Sequence, residues 1–408
     1  MVEEKIGKEI KEIYWKPSYP FVVGVFYLLQ GLYLTALQVY QSVYMTDVWV
    51  LDYGTIAFMT AILFIPGYLK SFTGLLSDGV AFGKFGRRRP YILIGGIAFI
   101  PLFLILAFIT DFGPPWVVIM VTLTFFWILV DGTLDALSVD VTPPEKKGII
   151  QGAGWGCRSL GAALGSIIVT ILALQFGWGV AIITMGVIAI LMSFSGILIK
   201  EPPVTKGNLP SKKVFKETFS KSNIWIGFIF VVLMMTCVGI MMFIGPFLLR
   251  NIEFSLADYG IAMMLMQIGS FVGSLIVGKF SDKYGAKKII YIISILYWCA
   301  IIPWLFLSSG SSLGLVLFIT LIFGFVYGGM MVSVMRIAME LSPRAIGGFA
   351  FATFASACNF GMVFVGSLMI GAFEPLLGLP VAFFVLIPFT IVGVILLRFI
   401  KPWKPESK

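Results

Sequence analysis

Histidine is absent from the 408 residues, and cysteine occurs only four times. Without an imidazole there is no histidine metal ligand, no histidine general base and no histidine proton relay. Any proton this chain carries must ride on a carboxylate. Cys157, Cys237, Cys299 and Cys358 stand singly inside apolar stretches. That spacing gives no disulfide framework and no thiolate metal site. Charge is scarce too: Asp, Glu, Lys and Arg make up 12% of the chain, where a soluble domain averages about 25%. A nucleophile motif and a nucleotide-binding loop are both missing, so neither an enzyme nor a bound metal or cofactor is expected.

What fills the chain instead is hydrocarbon-soluble sequence. Hydrophobic residues make up 59% of it, gathered in runs of roughly 20, the length that crosses a bilayer core as a helix. Twelve runs are present, at about 20–43, 54–77, 90–110, 115–140, 149–175, 178–199, 223–249, 256–280, 287–308, 312–340, 345–372 and 378–399. The expected fold is an all-α integral membrane protein with twelve transmembrane helices in two six-helix, pseudo-symmetric bundles. The bundles are expected at 20–199 and 223–399, flanked by segments 1–19, 200–222 and 400–408. Residues 1–16 are too charged for a signal peptide. Ile6, Ile10 and Ile13 recur there at helical spacing, which fits a helix on the membrane surface or a solvated tail.

The net charge of +9 would suit nucleic acid, but its distribution excludes that reading. Lys5 to Lys16, Lys84 to Arg89, Lys146 and Lys147, Lys206 to Lys221, Lys279 to Lys288 and Arg398 to Lys408 all fall on one set of alternate loops. The other set carries Asp47, Asp52, Asp111, Glu253, Asp258 and Glu374, with Arg250 as its only base. Basic loops face the cytoplasm, so a cell-membrane protein with both termini cytoplasmic is expected.

A loop signature occurs twice. The first copy runs Gly74-Leu-Leu-Ser-Asp78 and then Gly86-Arg87-Arg88-Arg89-Pro90; the second is Gly278-Lys-Phe-Ser-Asp282-Lys-Tyr-Gly285-Ala-Lys287-Lys288. Asp140-Val-Thr-Pro143 is echoed by Glu340-Leu-Ser-Pro343. Duplicated halves with matching hairpins are the plan of a solute transporter with its path between the repeats.

On these motifs the chain resembles the major facilitator superfamily over nearly its full length. The longer first loop, with Ala36-Leu-Gln38 and Ala136-Leu-x-x-Asp140, is similar to the sucrose-transporter branch of the glycoside–pentoside–hexuronide cation symporters. The resemblance implies an inner gate built from Asp78, Arg87, Arg88, Arg89, Asp282, Lys287, Lys288, Arg336, Glu340 and Arg344. Topology-setting charge is the plainer reading of the same bases. Two departures stand out. Melibiose-permease-like relatives carry acidic cation ligands in helix 2 where this chain has Pro66 and Lys70, which argues against a sodium site of that type. The sucrose branch places an Arg in helix 4; here Asp135 is present and the Arg is in helix 5.

Asp131 and Asp135 lie one turn apart in helix 4, and Arg158 lies in helix 5. Asp131 and Arg158 are equally far from the connecting turn, about 15 Å up each helix, near the bilayer midplane. A charge there costs about 3 kcal/mol unless paired or hydrated. The three form either a proton-coupling site or a static clamp between helices 4 and 5. Trp127 shares the face of the aspartates, and Trp155 shares one with Arg158. A carboxylate beside an indole suits a sugar, although Trp127 could equally be packed or lipid-facing. Tyr27, Gln30, Gln38 and Gln41 line one side of helix 1 and either face a cavity or bond between helices. Asn359 in helix 11 is a candidate for the same reason, and Lys70 either snorkels to the inner surface or enters the path.

The function expected is proton-coupled symport of a neutral glycoside or similar polar solute by a monomer in the lipid bilayer, with no nucleic-acid partner. Two rivals stay open. An exporter of lipophilic compounds would use the flexible methionines, 13 of 19 of which follow residue 223, including Met234, Met235, Met263, Met264, Met330 and Met331. A transporter-like receptor or scaffold would move nothing. The topology is directly testable. Cysteines introduced at Ser211 and Ser311 are expected to react with an impermeant maleimide from opposite sides of the membrane, and same-side labelling would reject twelve spans.

Overall fold

The computed structural model describes residues 15–79, 82, 86–143, 147–201, 216, 218–342 and 347–401. At 78, 79, 139, 140, 147–149, 151–153, 282, 347 and 348 it describes the backbone alone. Among the described residues there is helix and no strand.

Twelve helical spans follow in chain order: α1 (Tyr19–Val48), α2 (beginning at Tyr53 and ending at Gly79), α3 (Arg89–Ala107), α4 (Pro114–Val141), α5 (Lys147–Phe176) and α6 (Trp178–Ile197), then α7 (Ser222–Arg250), α8 (Leu256–Tyr284), α9 (Ala286–Phe306), α10 (Leu313–Leu341), α11 (beginning at Gly347 and ending at Leu377) and α12 (Leu379–Leu396). Among the described residues eleven are long and apolar enough to cross a membrane; the exception is α2, whose longest apolar piece is Tyr53–Leu63.

The sequence suggests an unbroken α2, but it is built in three pieces, Tyr53–Leu63, Ile65–Tyr68 and Lys70–Gly79. Pro66 is the physical reason: it has no N–H to donate and its ring crowds the preceding turn. α7 also breaks, between Val238 and Met241, and α11 passes through a π-helical stretch at Phe360–Gly366. Such irregular backbone is tolerated at membrane depth only where protein or a polar cavity satisfies the freed groups. At its start α2 is capped by Asp52, whose carboxylate accepts the Thr55 N–H at 2.8 Å and the Thr55 hydroxyl at 2.6 Å. Those bonds hold the Asp52 pKa below the ordinary carboxylate value.

The chain packs as two compact units. One contains residues 1–38 and 72–209; the other contains 39–71 and 210–408. In the second, the end of α1 and the first two pieces of α2 pack with helices of the later half. The packing division therefore cuts across α1 and α2, whereas the repeat division follows chain order.

Glycine sets the tightest contacts within each unit. In the first, a methyl group added at Gly31 would lie 1.9 Å from the Arg158 carbonyl oxygen, and one at Gly161 would lie 1.9 Å from that of Leu28. α1 and α5 thus touch backbone to backbone, as small residues permit in membranes. In the second unit α8 and α10 do the same, with Gly273 against Phe325 and Gly324 against Met266. Gly161→Ala is expected to force α1 and α5 apart and destabilise the fold by about 1–3 kcal/mol. Gly179→Ala, with open space around it, is the control that should melt as wild type in detergent.

Candidate functional site

The polar cluster of the first unit forms where α1 meets α4 and α5. α1 presents Tyr27 and Gln30 one turn apart. The Tyr27 hydroxyl donates to Asp135, and the Gln30 amide donates to Asp131. Asp131 and Gln30 are buried, at 3% and 0% exposure, while Asp135 is half-buried. Of the two sequence readings for Gln30, bonding between helices is the one seen.

α5 completes the cluster. Gly154 leaves room for the Tyr27 ring, which a methyl group there would approach to 3.1 Å. Arg158 is half-buried, and its guanidinium lies 5.3 Å above the Trp155 ring, a cation–π contact. Asp135, Asp131 and Arg158 all lie within electrostatic reach of the Tyr27 hydroxyl. Tyr27 therefore bonds one of the three charged groups and feels all of them, which its position in the sequence does not reveal. Trp155 is partly open at 38% exposure, whereas Trp127 is buried at 6%. Gln38 lies two further turns along α1 and stands outside this cluster.

Two candidates belong to the second unit. Lys70 opens the last piece of α2 and is half-buried. Asn359 has a definite partner: its amide donates to the Gly67 carbonyl at 3.2 Å. In an unbroken helix that carbonyl would take the Ser71 N–H. Here the Ser71 N–H goes to the Ser356 hydroxyl, at 3.3 Å. Ser356 and Asn359, one turn apart on α11, thus splice the break in α2. Tyr68, beside the break, meets Phe360 and Phe364 edge-on, each at 5.8 Å between ring centres.

The loop candidates are tied within their own units. The N–H groups of Arg87 and Arg88 both donate at 2.8 Å to Glu201, which sits at the N-terminus of α3. That is the favourable end of the helix dipole for an anion. Gly86 has φ +91°, and a methyl group there would meet the Glu201 carboxylate at 2.3 Å. The Arg88 guanidinium donates to Ser77 at 2.6 Å, and that of Arg89 to the Ile197 carbonyl at 2.8 Å. Glu201 escaped the sequence reading. Its signal was an acid just past the end of α6, where a basic linker begins.

In the second copy Lys287 donates to the Ile400 carbonyl beyond α12, while Lys288 is exposed. Arg336 and Glu340 pair at 3.3 Å, one turn apart on α10 and largely in solvent, an arrangement worth little energetically. The side chains of Asp78 and Asp282, together with Arg344, the linker lysines from Lys206 to Lys213 and residues 1–14, lie outside the described residues.

With this geometry in hand, comparison with known proteins gives the class. The chain matches the Major Facilitator Superfamily over residues 21–366 and 239–408 and belongs to that family. Its members are multi-pass membrane transporters, not enzymes. The fold is that of a mutant form of the nucleoside transporter NupG, at a TM-score of 0.72 and 15% identity, covering 94% of this chain and 99% of that one. It is also that of a bacterial homolog to the human lysosomal transporter Spinster in an inward-facing, unoccupied conformation, at a TM-score of 0.70 and 13% identity, covering 96% of this chain and 100% of that one. In sequence, the chain is 23% identical over 248 residues to a multi-drug resistance efflux pump PmrA homolog of Lactococcus lactis subsp. lactis (strain IL1403). The matched stretch covers 58% of this chain and 60% of that protein's length.

The Asn359 splice makes a measurable claim. Removing each hydrogen bond costs about 1 kcal/mol, so Asn359→Ala and Ser356→Ala should each lower the melting temperature in detergent. The double variant should lose less than the sum, because both bonds mend one break. Unchanged melting, with a loss of solute affinity in Asn359→Ala alone, would make Asn359 a solute contact instead.

Proposed function

We propose that this chain is a secondary active transporter working by alternating access, and that it takes up a neutral glycoside or similar small polar solute with protons. The observation that carries the reading is the carboxylate pair on α4, with Asp131 buried and Asp135 half-buried. Asp131 and Asp135 are engaged by Gln30 and Tyr27, with Arg158 in reach from α5. Two carboxylates beside one guanidinium leave one negative charge over, and like charges in one site favour holding a proton. No histidine is needed. Arg158 is then the switching partner, attracting an ionised carboxylate and released when it is protonated. The half-open Trp155 ring beside it offers an apolar face for a sugar, with donors close by.

The sucrose-transporter-like loop supports the glycoside class. The charge asymmetry of the loops supports both termini being cytoplasmic; a monomer in the cell membrane is part of the same proposal. The second reading, export of lipophilic compounds, is favoured by the similarity to the efflux-pump homolog. Weighing against it, Met234, Met235, Met263 and Met330 are fully buried and pack between helices, whereas Met264 and Met331 are half-buried.

Proteoliposome assays with a sugar and polyol panel separate the readings. Asp131→Asn or Asp135→Asn, whichever removes the coupling carboxylate, should abolish accumulation driven by a pH gradient and spare solute counterflow. Arg158→Gln should impair both. If both Asp variants still concentrate solute, the pair is a structural clamp between helices. Failure of counterflow with every solute would leave the receptor reading.

A further inference from the structure

Arg250 is the only base on the loops that otherwise carry acids, and the transport site leaves it unused. It ends α7, in the second unit. Its guanidinium donates to two backbone carbonyls, that of Thr46 in the last turn of α1 and that of Leu51 in the α1–α2 connection, each at 2.9 Å. It also lies 5.0 Å above the ring of Tyr53, the first residue of α2. The Tyr53 hydroxyl returns the contact, donating to Asn251 at 2.5 Å. One side chain therefore fastens α1, α2 and α7 together at the end away from the basic loops.

The backbone around it is strained. Val50, between the two accepting carbonyls, has φ +49°, and Glu253, three residues past Arg250, has φ +61°. A β-branched residue in the left-handed region is an outlier that persists only when its surroundings over-determine it. Here they do: the Trp49 N–H is held by the Tyr44 carbonyl at 2.8 Å, the Leu51 N–H by that of Met45 at 2.9 Å, and the Leu51 carbonyl by Arg250. Strain of this kind collects at switch regions.

The acceptors are carbonyls, not carboxylates, so the fastening does not depend on a titrating partner. Carboxylates stand close by nonetheless. Asp47 and Glu374 both lie within electrostatic reach of Arg250.

We propose that Arg250 is the latch of the end opposite the basic loops: bound to Thr46 and Leu51 it holds α1 and α2 on α7, and its release from those carbonyls frees them. The inference deepens the alternating-access reading by naming the residue that closes one side.

The test uses full-length protein with its four cysteines replaced by alanine and Ile56→Cys introduced. Ile56 is 1% exposed, one turn beyond Tyr53. Labelling by an impermeant maleimide should be slow, and Arg250→Gln should speed it at least about tenfold, because two charged hydrogen bonds are lost. Arg250→Lys, which keeps the charge but not the planar fork, should fall between. Ala181→Cys, buried in α6 of the other unit, is the control and should stay slow. Unchanged labelling of Ile56→Cys in Arg250→Gln overturns the latch. So does equal acceleration at Ala181→Cys, which would mark general loosening. Counterflow is measured separately, so a chain that transports nothing yet opens on loss of Arg250 would refute transport and keep the latch.

Discussion

Hydrocarbon offers no hydrogen bonds, so each polar group carried into the bilayer must find its partner inside the protein. That constraint organises every site described above. Asp131 and Asp135 are tolerable in α4 because α1 brings Gln30 and Tyr27 to them. α1 can do so because Gly31 and Gly161 let its backbone lie directly on α5. The chemistry of the cluster thus depends on the absence of two methyl groups, at Gly31 and Gly161.

The same constraint explains why the two loop motifs differ in structure while matching in sequence. In the first, the exposed N–H groups at the start of α3 need an anion, and Glu201 supplies it from beyond the end of α6. In the second, Lys287 turns to a carbonyl just past the chain's closing helix. The first arrangement satisfies a helix end with a carboxylate at an N-terminus; the second ties the start of α9 to the segment after α12 through an ammonium on a backbone carbonyl.

Much of the fold was legible in sequence, because apolar runs of bilayer length and one-sided basic loops are strong signals. The equal spacing of Asp131 and Arg158 from the turn between α4 and α5 was legible, and both act electrostatically on the Tyr27 hydroxyl. The partners were not. Nothing local says that Tyr27 will find Asp135 more than a hundred residues away, or that the amide of Asn359 will mend α2 and not meet a solute. The break itself was half visible in Pro66, but hydropathy averages across it and reads one continuous run. Arg250 was conspicuous as a lone base, yet its acceptors are backbone carbonyls, which no side-chain pattern encodes. Sequence reveals which groups will need partners; tertiary packing decides which partners they get.

The splice of α2 by α11 has a mechanical consequence. Ser356 and Asn359 engage a donor and an acceptor that sit four residues apart along α2, so they act as two pins of a key. A single pin would let one helix pivot or slide along the other. Two pins set a fixed axial register, and a slip of one residue would leave both backbone groups bare in hydrocarbon. α11 and the broken part of α2 are thereby geared together: they can travel as one piece or part completely, but they cannot creep.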